Sequence, residues 1–381
     1  MAKSSKIRLL YVSSIDIRWM HLEWVCRTLD RERFELSFLL LSLSPRRPHL
    51  ESVLEELGIP YRTVKCRLTP GGILGTIREV WRECRRRRAE VVHTHIFFAS
   101  LVGLLGAFLA RVPVRVNTRH HSMPNHGTPK IWLDRLANRL ATCIIAPSEM
   151  LRRVLVDLEG VPSRKVRLMR LGIDLERFRD VPAALVREMS AKYNPAGDSP
   201  VVGVIARHIE LKGIQYTIPA FARLLERYPK ARLVLAFAVG PYHETLQKQL
   251  ESLPADRYVQ IPFEENVFAL YKTFDVFVHV PIGDDQESFG LVFLEALAAG
   301  VPSIFTLSGI GPEILVHGRD AWLVEHRNSD RIHEGLLALL EDPGLRASLA
   351  REGWNTVYPA FSLSRMARSL EALYEEELGA R

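Results

Sequence analysis

Short β-rich apolar runs alternate with stretches of helical periodicity along almost the whole chain, and this alternation limits the fold more than any other feature. Strand candidates in the first half are Ile7–Val12, Leu36–Leu41, Val91–His93, Val114–Thr118, Thr142–Ala146 and Val166–Leu168. In the second half they are Val201–Ala206, Arg232–Ala238, Val259–Ile261, Val276–Val280 and Ser303–Thr306. Strands separated by helices pair in parallel and bury both faces, so the expected class is α/β with parallel sheets. The 381 residues suffice for two cores. Pro, Gly, Asn and Asp punctuate the stretch between Phe178 and Val201 as a connection. The expected domains are therefore residues 1–180 and 185–360, with a final helical stretch at 361–381.

Composition narrows the class. Hydrophobic residues at 47% and charged residues at 25% fit a globular protein. No apolar run reaches the length that spans a bilayer, and Ile96 to Ala110 reads as a buried crossover helix. The first residues read as a strand and not as a signal peptide, and the four cysteines have neither metal-ligand spacing nor disulfide density. The expected location is cytoplasmic. Residues 1–180 carry 32 Lys+Arg against 18 Asp+Glu, whereas residues 181–381 carry 19 against 26. One half therefore favours an anionic surface and the other does not.

Two segments carry recognisable chemistry. In ESFGLVFLEALAAGVP, Glu287–Pro302, a strand precedes and another follows. Ser288 is suited to cap the intervening helix, Gly300 to end it, and Pro302 to stop it. Glu287 would sit in the loop and Glu295 inside the helix, while free N–H groups at the helix start suit a phosphate. The bland alternative is a solvated Glu beside an exposed helical Glu. In VVGVIARHIELKGI, Val201–Ile214, Arg207 ends a strand and Lys212 reaches the next helix. Two cations there suit a diphosphate, although each alone is also compatible with ordinary surface charge.

Taken together, Arg207, Lys212-Gly213, Glu287, Phe289-Gly290-Leu291 and Glu295 match, in identity and spacing, the pattern of family-4 retaining glycosyltransferases. EALAAGVPSI and GIGPEIL are also similar, so the resemblance covers most of residues 200–376. It implies the GT-B fold, two facing Rossmann-like domains, with the C-terminal helix returning to the N-terminal domain. It also implies that Arg207 and Lys212 neutralise the donor diphosphate, that Glu287 meets the donor sugar, and that Glu295 meets the ribose. Gly213 belongs to the matching pair, and Ser288, Phe289, Gly290 and Leu291 would line the donor. The nucleotide sugar would be a substrate, and neither a cofactor nor a metal ion is expected.

The first half resembles the family less closely. His120, in VNTRHHS after a strand, aligns with the family's active-site His, with His121 a close rival. His95 ends a strand candidate and is assigned to the acceptor side. The family's usual Gly-Gly pair is replaced by SSIDIRWMHLE, where Arg18 or Trp19 would shape the acceptor site instead. Leu171 stands where the family has Asn in the turn LGID. Asp284-Asp285 is adjacent and not Asp-x-Asp, and Gly71–Gly75 lacks dinucleotide-binding spacing.

A helix is expected over GGILGTIREVWRECRRRR, with Ile73, Ile77, Trp81 and Cys84 on one side and Arg78, Arg82 and Arg85–Arg88 around the other. Such a helix suits an anionic membrane surface or, more plainly, a packed helix with a solvated basic end. No module for nucleic acid is present in the pattern. The reading is transfer of a sugar from a UDP- or GDP-type donor to an acceptor hydroxyl, such as a lipid-linked glycan or envelope component. Two rivals share the fold: a non-catalytic partner protein, which would show no donor hydrolysis, and a nucleotide-sugar 2-epimerase, which would convert UDP-N-acetylglucosamine without an acceptor.

Overall fold

The computed structural model describes residues 6–14, 20–44, 47–121 and 131–380. They form two compact units, Met1–Gly172 with Leu363–Arg381, and Ile173–Ser362. The stretch expected as a connection between Phe178 and Val201 contains the helix Ala183–Tyr193 and lies within the second unit.

In the first unit seven parallel strands are ordered β3-β2-β1-β4-β5-β6-β7. They are β1 Ile7–Ser13, β2 Phe34–Ser42, β3 Tyr61–Lys65, β4 Val91–His95, β5 Val114–Thr118, β6 Cys143–Ala146 and β7 Val166–Leu168. Successive side chains on a strand point to opposite faces, so β1 feeds two cores. Leu9 and Tyr11 pack with Leu22, Met366 and Leu370. Leu10 and Val12 pack with Ile77, Val80, Ala99 and Val102. The C-terminal helix Leu363–Gly379 thus belongs to one helical layer of this unit. The basic helix Pro70–Arg87 and the helix Phe97–Leu109 belong to the other layer.

The second unit has six parallel strands ordered β10-β9-β8-β11-β12-β13. They are β8 Val201–Ile205, β9 Arg232–Ala236, β10 Tyr258–Ile261, β11 Val276–His279, β12 Ser303–Phe305 and β13 Trp322–Leu323. Both sheets therefore follow the expected parallel α/β plan. β3 and β13 were not foreseen. β3 reads Tyr-Arg-Thr-Val-Lys, is partly exposed at a sheet edge, and offers no apolar run. β13 has only two residues.

Two local expectations require correction. The helix after Glu287 begins at Leu291, and its N-cap is Gly290 with φ +87°, so Ser288 does not cap it. A Cβ at Gly290 would lie 2.6 Å from the Phe293 ring. In the basic helix the buried stripe is Ile77, Val80 and Cys84, while Trp81 faces outward. Val80 wins because it meets Gly106 of the neighbouring helix, where a Cβ would come within 2.7 Å of it. Phe97–Leu109 is the buried crossover helix expected there, with Ala99, Val102, Leu104 and Ala107 in the core.

Candidate active site

In the second unit the loops after β8, β11 and β12 meet at one sheet edge because these strands are adjacent and parallel. The carboxyl edge of such a sheet is where α/β folds place ligands. β8 leads to exposed Arg207, then to a short 3₁₀ turn ending at Lys212. Gly213 follows with φ +72° and caps the helix Ile214–Arg227. A Cβ at Gly213 would lie 1.8 Å from the Val280 carbonyl oxygen, so only glycine lets this turn pack on the end of β11.

The Lys212 ammonium donates to Oε1 of Glu287. His279, the last residue of β11, reaches the same oxygen from Nε2 at 2.9 Å. Burial alone would raise the Glu287 carboxyl, but the Lys212 charge and His279 outweigh it and hold the group at about 2. Burial pushes His279 down, with Glu287 offsetting part of that effect, and its Nδ1 has no hydrogen-bond partner among the described residues.

The Glu287 loop is fixed from beneath. The Glu287 N–H donates to the Ser308 hydroxyl at 3.0 Å, and that hydroxyl donates to the Asp284 carbonyl at 3.1 Å. Gly309, at φ +57°, lies where a Cβ would meet the Phe289 carbonyl oxygen at 2.6 Å. Phe289 itself is buried, so its ring is not exposed at this edge. Glu295 is partly buried in the helix Leu291–Ala299 and accepts from the Tyr271 hydroxyl at 3.0 Å. Desolvation raises its carboxyl to about 7, with the Tyr271 hydrogen bond acting the other way. Two carboxyls eight residues apart are thus held in opposite states, one firmly charged and one near its titration point.

The first unit brings its sequence candidates together at the carboxyl ends of β4 and β5. His95 Nδ1 lies 2.9 Å from His120 Nε2, and their rings stack with centroids 5.2 Å apart. His93 stands beside His95, 4.3 Å between centroids, and bridges the Tyr374 hydroxyl at 2.6 Å and the Thr118 hydroxyl at 2.7 Å. The His21 ring approaches both His95 and His120. Burial first, then the neighbouring imidazoles, hold His95 and His120 well below the usual range. Burial lowers His21 to about 4 and, with His21 nearby, His93 to about 3.

His121 is turned elsewhere, with Nε2 3.2 Å from Asp134. Arg119, Asp134, Glu159 and Asn138 form a buried ionic network beside it. Arg18 and Trp19 lie outside the described residues. Ser13, in register with His95, and Ser14 present hydroxyls with no partner among the described residues.

Sequence patterning missed His21, His279, Ser308 and Tyr271. His279 and Ser308 each follow or end a strand, the one signal that could have marked them. Asp284 accepts from the His326 ring at 2.8 Å, and no group of His, Cys, Asp or Glu suited to a metal ion occurs among the described residues.

Comparison with known proteins gives the family and the fold. The sequence model for Glycosyl transferases group 1 matches residues 186–355, and that for Glycosyltransferase Family 4 matches residues 20–177. A GDP-mannose-dependent alpha-(1-6)-phosphatidylinositol monomannoside mannosyltransferase of Mycolicibacterium smegmatis is 34% identical over 201 residues, 50% of this chain and 51% of that protein. A D-inositol 3-phosphate glycosyltransferase of Kribbella flavida is 28% identical over 284 residues, 69% of this chain and 65% of its own. The match thus spans between 51% and 65% of the length of these two curated relatives. Among solved structures, Anabaena HepE in complex with UDP and glucose superposes with a TM-score of 0.83 at 19% identity, over 97% of this chain and 100% of that one. The chain belongs to glycosyltransferase family 4 and has the GT-B fold.

Proposed function

We propose that the protein transfers a hexosyl group, with retention, from a UDP- or GDP-type sugar to an acceptor hydroxyl. One observation carries this reading: Arg207, Lys212 and Glu287 stand on neighbouring loops at one sheet edge, with Glu295 in the helix that follows the Glu287 loop and Glu287 held anionic. In the transfer, the bond from the sugar anomeric carbon to the diphosphate breaks and one to the acceptor oxygen forms. The acceptor proton leaves with the nucleoside diphosphate. Arg207 and Lys212 stabilise the charge that develops on that leaving group, and fixed charges of this kind lower such a barrier more than any other device in a site like this. Glu287 accepts from donor sugar hydroxyls, Glu295 from the ribose, and the Phe289, Gly290 and Leu291 amides face the sugar and phosphate. No metal is required where two cations flank the diphosphate.

His120, neutral and in contact with His95, is the polar group assigned to the reacting sugar, and His95 and His121 belong to the acceptor side. A lipid acceptor is supported by the mannosyltransferase relative, whose name specifies a phosphatidylinositol glycolipid. The HepE complex supports a uridine donor and that relative a guanosine one, so the base stays between these two. The basic helix is assigned to an anionic membrane surface at the cytoplasmic face. Arg82 pairs with Glu79, and Arg86 and Arg87 pair with buried Glu83. Arg78, Arg85 and Arg88 have no ion pair among the described residues, and Leu74 and Trp81 are exposed beside them.

The test is donor hydrolysis and transfer by the purified protein with UDP- and GDP-hexoses, the anomer of the product read by NMR. Release of the sugar or its transfer with retained configuration is expected. An inverted product would overturn the retaining assignment, and interconversion of UDP-N-acetylglucosamine at C2 would replace the reading with an epimerase.

A further inference from the structure

The first unit has a second feature on the opposite sheet edge from His95 and His120. β4 and β5 end at His95 and Thr118, whereas Arg139 and Arg164 lie just before the start of β6 and β7. These strands are parallel, so the two places are separated by the length of the sheet. Between the helix Ile131–Leu140 and the segment 159–165 lies a cavity of about 590 Å³, lined by Trp132, Leu136 and Val161 and by Arg135, Arg139 and Arg164.

The cavity is built, and it is cationic. Lys165 donates to the carbonyls of Asn138, Arg139 and Ala141 at 2.8 to 3.3 Å, tying the segment to the end of the helix. The Glu159 carboxylate accepts from Arg119 and Asn138, and the three arginines and Lys165 outnumber it in the lining. Arg135, Arg139 and Arg164 are exposed and have no ion pair among the described residues. The Arg135 guanidinium sits 4.9 Å over the Trp132 ring.

Around it the surface is apolar. Trp132 is 66% exposed, and Leu133, Leu136 and Leu158 are also exposed. The helix Ile131–Leu140 packs against Phe97–Leu109, whose exposed end carries Phe108 and Leu109, and that helix packs against the basic helix. The three helices form one layer over the sheet, and all three turn large apolar groups outward.

We propose that this layer is a bilayer-docking face and that the cavity takes the phosphate of an anionic phospholipid on Arg135, Arg139 and Arg164. Tryptophan and leucine beside unpaired arginines match the boundary between acyl chains and headgroups. The inference rests on the membrane reading given above for the basic helix and adds a lipid site at the opposite sheet edge from the His cluster.

The test uses the full chain, phosphatidylcholine vesicles with or without phosphatidylglycerol, and brominated lipids. Parent protein should sediment with the anionic vesicles, and Arg135→Gln/Arg139→Gln/Arg164→Gln should lower its partition on the order of 100-fold, at about 1 kcal/mol per basic residue. Trp132→Phe should remove the share of the quenching by brominated lipid that Trp132 contributes, exposed Trp81 on the same layer supplying the rest. Melting temperature and affinity for whichever of UDP and GDP the parent binds should not change in either variant. Unchanged partition of the triple variant, or unchanged quenching in Trp132→Phe, would overturn the site. Inorganic phosphate at constant ionic strength should compete with the vesicles for the parent but not for the triple variant, whereas a concentration-dependent dimer that the triple variant abolishes would overturn the site. Arg78→Gln/Arg85→Gln/Arg88→Gln is run in parallel. If it alone loses binding, the membrane reading stands and the cavity proposal falls. If the parent binds no vesicles, both fall.

Discussion

The two units solve the problem of buried polar groups in opposite ways. The second unit keeps a charge: Glu287 stays anionic because Lys212 and His279 converge on one oxygen. The first unit keeps none at its His cluster: His21, His93, His95 and His120 are packed together and held neutral by burial. A fixed ion pair suits a ligand whose charge changes, and a neutral polar cluster suits a reacting sugar whose hydroxyls need donors and acceptors. The comparison teaches that each unit keeps its buried polar groups by a different device, a converging ion pair in one and mutually packed neutral rings in the other.

The largest expected effect breaks the charged side. Glu287→Gln removes the carboxylate that Lys212 and His279 share and should lower turnover by at least about 100-fold. Leaving the partly buried Lys212 ammonium unpaired should also cost up to about 3 kcal/mol of stability, measured by denaturant unfolding. Normal turnover in a folded variant would remove Glu287 from the site.

On the neutral side, His120→Ala should lower turnover by roughly 100-fold while leaving nucleotide affinity nearly unchanged. His121→Ala should keep most activity, because its ring is engaged with Asp134 away from the cluster. A dead His121→Ala beside an active His120→Ala would exchange their roles.

Acid should separate the units. A histidine whose folded pKa is lowered contributes stability that is present above its unfolded pKa and lost as pH falls toward the folded value. For His21 and His93 that window runs from about 6.5 down to about 4 and about 3. Glu287, lowered to about 2, contributes stability that is present above about 4.5 and lost only below it. His208, lowered to about 4, and His279, also lowered, put part of the same window into the second unit. Hydrogen exchange between pH 6 and pH 4.5 should therefore open β4 and β5, beside four lowered imidazoles, before β8 and β11, beside two. Simultaneous opening would contradict the contrast.

Glu295 gives the smallest expected change in turnover. Its folded pKa is raised to about 7, so ionising it costs stability as pH rises from about 4.5 to about 7. Glu295→Gln should remove that loss, about 1–3 kcal/mol at neutral pH, and weaken nucleotide binding. Unchanged melting at both pH 5 and pH 8 would contradict the raised value.

Much of this was legible in the chain because it depends on spacing. Apolar runs placed eleven of the thirteen strands, and motif spacing placed Arg207, Lys212 and Glu287 on converging loops. Of the four edge strands, β7 and β10 were placed; β3 escaped because it is partly exposed and its residues need not be apolar, and β13 because it has only two residues. The partner of Lys212 escaped for a different reason: an ion pair between residues 75 positions apart depends on the packing of loops, which local pattern does not encode. His279 and Tyr271 were hidden by their surroundings, since polar residues in apolar segments look like ordinary core. The outward turn of Trp81 goes with the close approach of Val80 to Gly106, where a Cβ would come within 2.7 Å of it.

The central claim is that Arg207 and Lys212 hold the diphosphate of the donor on the second unit, and titration calorimetry of UDP and GDP tests it most directly. Parent protein should bind one of the two nucleotides, and Arg207→Ala and Lys212→Ala should each weaken that binding by about 1.5–3 kcal/mol. Folding should hold in Arg207→Ala, whose side chain is exposed. Equal affinity in the parent and both variants would contradict the assignment of the donor to this edge.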